Sequence, residues 1–195
     1  MRVRALVLVV VLTVAAGLSG CSLGRTRDRD GWRHGGGTMA MSMASSEAAW
    51  LAEMIPHHEE AVDAARELAR SARPEMRTLG ESIVRSQTAQ IEQMRGWLAA
   101  WYPTQREDPA YRPMMRDLSG LTGDALDRAF LEDMVRHHMM AVMMSQHLLR
   151  ARTATHPEVA DLAGRIIDEQ RAEIRQMNRW LASWFGQPGP GRHMS

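Results

Sequence analysis

The amino-acid sequence predicts an all-α protein, a four-helix bundle made of two repeated helical hairpins. Three observations support this fold class. A Met-x-x-His-His motif occurs twice, at residues 54–58 and 134–138. The residues around the two copies also match, and four long segments carry apolar residues spaced by threes and fours, as in amphipathic helices. Four such helices bury their apolar faces by packing into a bundle.

The repeat extends well beyond the histidines. At an offset of 80 residues, matched positions in the first helix of each hairpin include Leu51, Met54, His57 and His58 with Leu131, Met134, His137 and His138. At an offset of 83, those in the second helix include Pro74, Gln87, Met94 and Trp97 with Pro157, Gln170, Met177 and Trp180. The change of offset indicates an insertion before the second proline, so the chain is a duplicated hairpin.

The N-terminus predicts a lipoprotein signal peptide over residues 1–20. Two arginines precede an apolar run at residues 5–16, which is too short to span a bilayer as a mature helix. Residues 18–21 (Leu-Ser-Gly-Cys) resemble the bacterial lipobox, in which the cysteine carries lipid and becomes the mature N-terminus. Cys21 is the only cysteine, so it has no partner for an internal disulfide. We therefore expect an extracytoplasmic protein anchored to the cell membrane through lipid on Cys21.

The first helix follows a tether. Residues 21–46 contain Gly, Ser and Met without apolar periodicity, which is typical of a flexible segment. Ser45 or Ser46 can cap the helix, which should run to about Ala72. Pro56 should bend it, because a proline beyond the first turn removes a backbone hydrogen bond.

The other three helices have recognisable boundaries. Pro74 and Pro157 suit the first turn of a helix, and Thr122 or Asp124 can cap the helix between them. The predicted helices run from 74 to about 102, from about 123 to 153, and from 157 to about 185. The folded domain therefore covers residues 47–185, with repeat one at 47–102, a crossover at 103–122, repeat two at 123–185 and a disordered tail at 186–195.

Charge argues against one class of partner. The chain has 24 Lys and Arg against 23 Asp and Glu, a net charge of +1. A protein that binds nucleic acid through its phosphates carries clustered positive charge. We therefore expect no nucleic-acid partner.

The duplicated histidines lie on the inward side of their helices. With Met54 at the centre of the buried face, His58 falls about 40° to one side and His57 about 60° to the other, at about 100° per residue. Imidazole and thioether donors together suit copper, since Met favours Cu(I) and His binds Cu(I) or Cu(II). In the second hairpin a strip at i+3, i+7 and i+10 continues from His137. The expected metal ligands are Met54, His57, His58, Met134, His137, His138, Met140, Met144 and His147.

Four polar residues are expected to support these ligands: Gln87, Gln170, Glu53 and Asp133. In antiparallel register the two glutamines stand level with His58 and His138, and we expect them to orient those imidazoles through hydrogen bonds. The two acids stand four residues before His57 and His137, on the same faces of their helices.

These motifs, together with residues 87–101 and 170–184, resemble the domain of unknown function 305 family. The resemblance covers about residues 47–185 and implies a fold similar to ferritin-like four-helix bundles. It also implies an extracytoplasmic protein rich in Met and His, in a family some of whose members bind copper and support copper tolerance. It implies no enzyme activity. The second motif departs from the usual Met-Ile-Pro-His-His, because Val135 and Arg136 replace Ile and Pro.

The first hypothesis is therefore an extracytoplasmic metal-binding lipoprotein that sequesters copper or passes it on, with no catalytic residues. One alternative is a ferritin-like di-metal oxidoreductase. That chemistry uses Glu-x-x-His motifs, whereas Glu53 and Asp133 stand four residues before their histidines. The other alternative is a non-catalytic structural or partner-binding bundle. The sequence names neither a copper-handling protein partner nor a homo-oligomer.

Overall fold

The computed structural model describes residues 44–108 and 110–186, which fold into four α-helices with no β-strand among them. The helices are α1 (Glu47–Arg66), α2 (Pro74–Trp101), α3 (Gly123–Ala151) and α4 (Pro157–Phe185). The predicted all-α four-helix bundle is confirmed. None of the described helices combines the length and the hydropathy that a membrane span requires. The predicted signal peptide, Cys21, most of the tether and most of the tail lie outside the described residues.

The ends of the helices follow from local capping. Ser46 caps α1, because its Oγ accepts a hydrogen bond from the backbone N–H of Ala49 at 3.2 Å. Pro74 and Pro157 stand at the start of α2 and α4, as predicted. Thr122 precedes α3, but its side chain makes no capping hydrogen bond.

Helix one is shorter than predicted. Its α-helical part ends at Arg66 rather than near residue 72, and a 3-10 turn (Glu67–Arg70) follows it. A 3-10 turn commonly tightens the last turn of a helix whose carbonyl groups have lost their α-helical partners. The third helix also ends early, at Ala151, where Arg152 adopts a left-handed conformation with φ of 55°.

Two hydrophobic clusters hold the bundle together. α1 packs against α2 and α3 against α4, as the two hairpins, and α1 also packs against α3. One cluster joins the N-terminal half of α1 to the C-terminal half of α3, with Trp50 and Leu148 fully buried. The other joins the C-terminal half of α1 to the N-terminal half of α3, with Leu68 and Phe130 fully buried. α1 and α3 therefore run antiparallel, and the residues between the clusters lie at the middle of the bundle.

The crossover docks along α1. Proline has no N–H to donate to the carbonyl four positions earlier, so Pro56 leaves the carbonyl of Ala52 free. The backbone N–H of Asp108 donates to that carbonyl at 3.0 Å. Further along, the guanidinium of Arg70 donates to the carbonyl of Leu118 at 3.0 Å. Pro56 therefore gives the crossover a place to bind, and α1 continues through it.

A side chain at Gly80 would press α2 against α1. A Cβ there would lie 2.7 Å from the carbonyl oxygen of Ala65 and 3.0 Å from Leu68 Cβ. We expect Gly80→Ala to lower the free energy of unfolding by about 1–3 kcal/mol, the usual cost of overpacking. At Gly96, on the same helix, such a Cβ would meet no described atom within 4 Å beyond its chain neighbours and the nearby backbone of α2. Gly96→Ala should therefore stabilise the protein by up to about 1 kcal/mol, through helix propensity.

Urea unfolding of the two variants measures these changes. The glycines share a helix, so an equal loss of stability in both would contradict close packing at Gly80.

Candidate metal centre

Four buried imidazoles meet at the middle of the bundle. α1 carries His57 and His58, α3 carries His137 and His138, and none exposes more than 2% of its surface. The ring centroids of His57 and His137 are 3.7 Å apart, with 36° between the ring planes. Within each motif the two rings are 6.2 and 6.3 Å apart. The two motifs therefore form one histidine cluster, comprising these four residues.

A glutamine of α2 holds one nitrogen of His58. His58 Nε2 lies 2.9 Å from Gln90 Oε1. The amide is oriented by its other end, since Gln90 Nε2 donates to Glu169 Oε2 on α4 at 2.8 Å. An amide oxygen only accepts hydrogen bonds, so His58 Nε2 carries the proton and Nδ1 of the neutral ring carries the lone pair. That Nδ1 is buried and has no hydrogen-bond partner among the described residues.

Glu173 holds His138 in the same way. It is the equivalent of Gln90 at the repeat offset of 83, and its Oε2 lies 2.6 Å from His138 Nε2. Nδ1 of His138 is again buried and unpaired within the described part of the chain. The second hairpin thus uses a carboxylate where the first uses an amide, and an ionised acceptor makes the stronger hydrogen bond.

The two rings at the centre of the cluster are the least satisfied. Neither nitrogen of His57 has a hydrogen-bond partner in the residues that the structure describes. His137 Nε2 lies 3.2 Å from Glu60 Oε2, but outside hydrogen-bond geometry, so both nitrogens of this ring are unpaired as well. Each buried polar group left unpaired costs about 1–3 kcal/mol. In native proteins such groups usually mark a functional site, an ion or a bound water.

Burial favours the neutral form of three imidazoles of the cluster, those of His57, His58 and His137. Desolvation, followed by repulsion from the other three imidazoles, holds the pKa of His57 well below its usual range. Desolvation also lowers the pKa of His58 to about 3, although the hydrogen bond with Gln90 opposes the change. The pKa of His137 is lowered by burial too, against the opposing effect of Glu60. Neutral imidazole is the form that binds a metal ion.

Glu60 links the histidine cluster to the crossover. Its Oε1 accepts hydrogen bonds from the backbone N–H groups of Met114 and Met115 at 2.6 and 2.7 Å. Its Oε2 accepts one from the hydroxyl of Tyr111, whose ring lies 6.1 Å from that of His57. Burial raises the pKa of Glu60, but the hydrogen bonds and the adjacent imidazole outweigh burial and lower it overall. An ionised carboxylate therefore closes one side of the cluster.

The hydrogen bonds predicted for Gln87 and Gln170 are made by other residues. Gln90 and Glu173, three positions further on, contact the imidazoles, while Gln87 Oε1 and both polar atoms of the Gln170 side chain are buried and unpaired in the described structure. The Cα–Cβ bond of a helical residue leans towards the N-terminus of its helix. His58 therefore reaches away from the hairpin turn, and a residue one turn beyond the level position on α2 leans back to meet it.

The supporting roles predicted for Glu53 and Asp133 are also corrected. Asp133 accepts hydrogen bonds from the guanidinium of Arg116 in the crossover at 2.7 and 2.8 Å, and it pairs with Arg136. A permanently charged guanidinium is a stronger partner for a carboxylate than a neutral imidazole. No hydrogen bond joins Glu53 to an imidazole among the described residues, and burial together with nearby Asp108 raises its pKa.

The predicted sulfur ligands flank the cluster on two sides. Met54 and Met134 are fully buried in different hydrophobic clusters, one on each side of the histidines. Met144 is buried in the same cluster as Met54, and Met140 packs partly against it. His147 is half-buried on α3. The strip predicted along α3 is therefore divided between the core and the surface.

Gln90, Glu173 and Glu60 are the contacts that sequence reasoning missed. The first two could have been found, because they are equivalent polar positions in the repeat, one turn beyond the glutamines. Glu60 has no such signal, since it approaches His137 from a different helix.

Fold and site together define the protein as a duplicated helical bundle with a buried histidine cluster. The sequence matches the domain of unknown function DUF305 over residues 47–181, so the chain belongs to this family. No curated protein matches it.

Solved structures give the same fold. CopM in its Cu(I)-bound form is 32% identical, with a TM-score of 0.65 over 72% of this chain and 99% of that one. CopM was also solved in Cu(II)-bound and Ag-bound forms. A DUF305 fragment from Deinococcus radiodurans is 34% identical, with a TM-score of 0.61 over 69% of this chain and 94% of that one. A DUF305 protein from Streptomyces coelicolor, described as a candidate secreted protein, is 28% identical, with a TM-score of 0.65 over 77% and 99%.

Proposed function

We propose that this protein binds copper at the histidine cluster outside the cytoplasm, either to sequester the ion or to pass it on. One observation carries the proposal: six buried imidazole nitrogens of the cluster have no hydrogen-bond partner among the described residues. An ion that accepts the lone pair of one nitrogen from each ring would offset much of the cost of burying them unpaired. The similarity to CopM, solved with Cu(I) and with Cu(II), supports copper as that ion.

Each histidine would contribute one nitrogen. Nδ1 is available in His58 and His138, because a neighbouring side chain holds the other nitrogen, and either nitrogen is available in His57 and His137. Within the described residues, no three His, Cys, Asp or Glu side chains already stand together as metal ligands. Binding therefore requires the central rings to rotate out of their mutual contact.

Thioethers would help to hold Cu(I). Met54 and Met134 approach the cluster region from its two sides, and sulfur is the preferred donor of this soft ion. Met140, Met144 and His147 form a second, outer group of soft donors on α3. We propose that this group binds copper more weakly, because Met144 packs in the core while His147 is half-buried.

A binding role explains the site better than catalysis by a di-metal centre. Such a centre needs carboxylates that are free to bridge two ions. Here Asp133 is occupied by arginines, Glu169 by Gln90, and Glu173 by His138. We assign no catalytic residue.

We also propose that lipid on Cys21 anchors the mature chain to the outside of the cell membrane. The support is the lipobox-like sequence and the similarity to a candidate secreted DUF305 protein. Mass spectrometry of the membrane fraction would show an acylated Cys21 in the parent and none in Cys21→Ser.

Copper titration of the mature chain tests the main proposal. We expect at least one tightly bound ion in the parent and an affinity loss of more than about a hundredfold in the His57→Leu, His137→Leu double variant, which lacks two ligands. The matched control is Met139→Leu, Met143→Leu, because these side chains lie on α3 but are 51% and 44% exposed. Competition with a chelator, in separate Cu(I) and Cu(II) series, gives the affinity and the number of ions.

Equal affinity in the parent and the double variant would place the copper site elsewhere. A parent that binds no copper would leave a structural or partner-binding bundle as the better description.

A further inference from the structure

A copper ion needs a path to the histidine cluster, because the four rings are almost completely buried. A groove of about 580 Å³ lies between α1 and the crossover. Glu60 and Tyr111 both line it, and both also reach the cluster. Glu60 Oε2 lies 3.2 Å from His137 Nε2, and the Tyr111 ring lies 6.1 Å from that of His57. These two side chains therefore connect the lining of the groove to the imidazoles.

Charge in the groove singles out Glu60. The groove is lined by five carboxylates, those of Glu59, Glu60, Asp63, Glu67 and Asp117. Three of them are neutralised by ion pairs, Glu59 with Arg95, Asp63 with Arg66, and Glu67 with Arg70. Asp117 accepts a hydrogen bond from the backbone N–H of Ser119 at 2.9 Å. Glu60 instead lies against the neutral imidazole of His137, so its negative charge is directed towards the cluster.

A second cavity has no such connection. It is lined by residues at the end of α2 and the start of the crossover, among them Arg95, Pro103 and Arg106. None of its lining residues contacts an imidazole of the cluster in the described structure.

We infer that the groove between α1 and the crossover is the route by which copper reaches the histidine cluster, and that the hydrogen bond from Tyr111 to Glu60 is its gate. The inference rests on the proposed function. With this hydrogen bond made, Glu60 ties Tyr111 and the backbone at Met114 and Met115 over the cluster. With it broken, the tyrosine ring can move aside, and an incoming cation meets the Glu60 carboxylate before it meets the imidazoles.

The two tyrosines of the chain provide a matched pair of variants. Tyr111→Phe removes only the hydroxyl that donates to Glu60. Tyr102→Phe removes the hydroxyl that donates to Glu47 at 2.9 Å, at the end of the bundle. A hydrogen bond to a charged group stabilises a closed state by about tenfold or more. We therefore expect copper uptake to be about tenfold faster in Tyr111→Phe and to change less than about twofold in Tyr102→Phe.

Stopped-flow transfer of copper from a weak chelator to the mature chain gives the uptake rate. Amide hydrogen exchange at Met114 and Met115 reports the gate without metal, and it should also be faster in Tyr111→Phe alone. Unchanged uptake in Tyr111→Phe, with copper still bound at equilibrium, overturns the route but not the proposed function. Equal acceleration in both variants overturns the gate, because a general loosening would then explain it. A parent that takes up no copper overturns the proposed function, and the route with it.

Discussion

The His57→Leu, His137→Leu double variant is expected to melt at a higher temperature than the parent when copper is absent. Within the described residues, the two central rings contain four buried nitrogens without a hydrogen-bond partner, although Glu60 lies 3.2 Å from His137 Nε2. Each unpaired buried polar group costs about 1–3 kcal/mol. Leucine has a similar volume and no polar atom, and repacking usually costs less than about 1.5 kcal/mol per site. A net gain of about 2 kcal/mol would raise the melting temperature by about 5 °C.

Copper should reverse this order. A ligand that binds only the folded state stabilises it by about 4 kcal/mol at a thousand times its Kd, and only the parent retains all four imidazoles. Calorimetry of both proteins, first with a chelator and then with excess copper, measures whether the order of their melting temperatures reverses. A reversal of that order would show that the histidine cluster serves binding at a cost in the stability of the metal-free protein.

His156→Leu is the control for the substitution itself. His156 Nδ1 lies 2.6 Å from the buried Glu47 carboxylate, and its ring stacks on Trp101. Replacing this satisfied histidine should lower the melting temperature with or without copper, because Glu47 loses a partner. A double variant that melts below the parent in metal-free buffer would contradict the idea that the central rings are unsatisfied.

Most of the fold could be predicted because its determinants are local. Pro74 and Pro157 mark helix starts, Ser46 is a cap, and the apolar spacing shows which faces are buried. α1 ends earlier than its local signals predict, and the 3-10 turn that follows it is tied to the crossover through Arg70. That contact joins residues that are far apart in sequence, and no local pattern reveals it.

The site was only partly predictable, for the same reason. The helical period places His57 and His137 on inward faces, but their contact depends on how α1 packs against α3. The tilt of helical Cα–Cβ bonds towards the N-terminus explains why Gln90, and not Gln87, reaches His58. Glu60 is on the same face of α1 as His57, yet its position beside the second motif follows from the packing of the two hairpins and from the crossover that it binds.

Acid is expected to unfold the metal-free protein at a pH where carboxylates are still ionised. His57, His58 and His137 have folded-state pKa values below their usual range, about 3 for His58, whereas unfolded histidine titrates near about 6.5. Below that pH the unfolded state binds more protons, so stability present at neutral pH is lost as the pH falls. Each such group that stays neutral in the folded state contributes a slope of about 1.4 kcal/mol per pH unit. By pH 5 His58 alone would account for a loss of about 2 kcal/mol, a substantial part of the stability of many domains, and His57 and His137 add to it.

The His57→Leu, His137→Leu variant isolates the cause of this acid sensitivity. It retains only His58 of the three groups, so its slope should fall to about 1.4 kcal/mol per pH unit. Urea unfolding of both proteins at pH 7, 6 and 5, with a chelator present, measures the two slopes. A parent with equal stability at pH 7 and pH 5 would mean that the folded protein accepts these protons, and the imidazoles would then not be sealed from water.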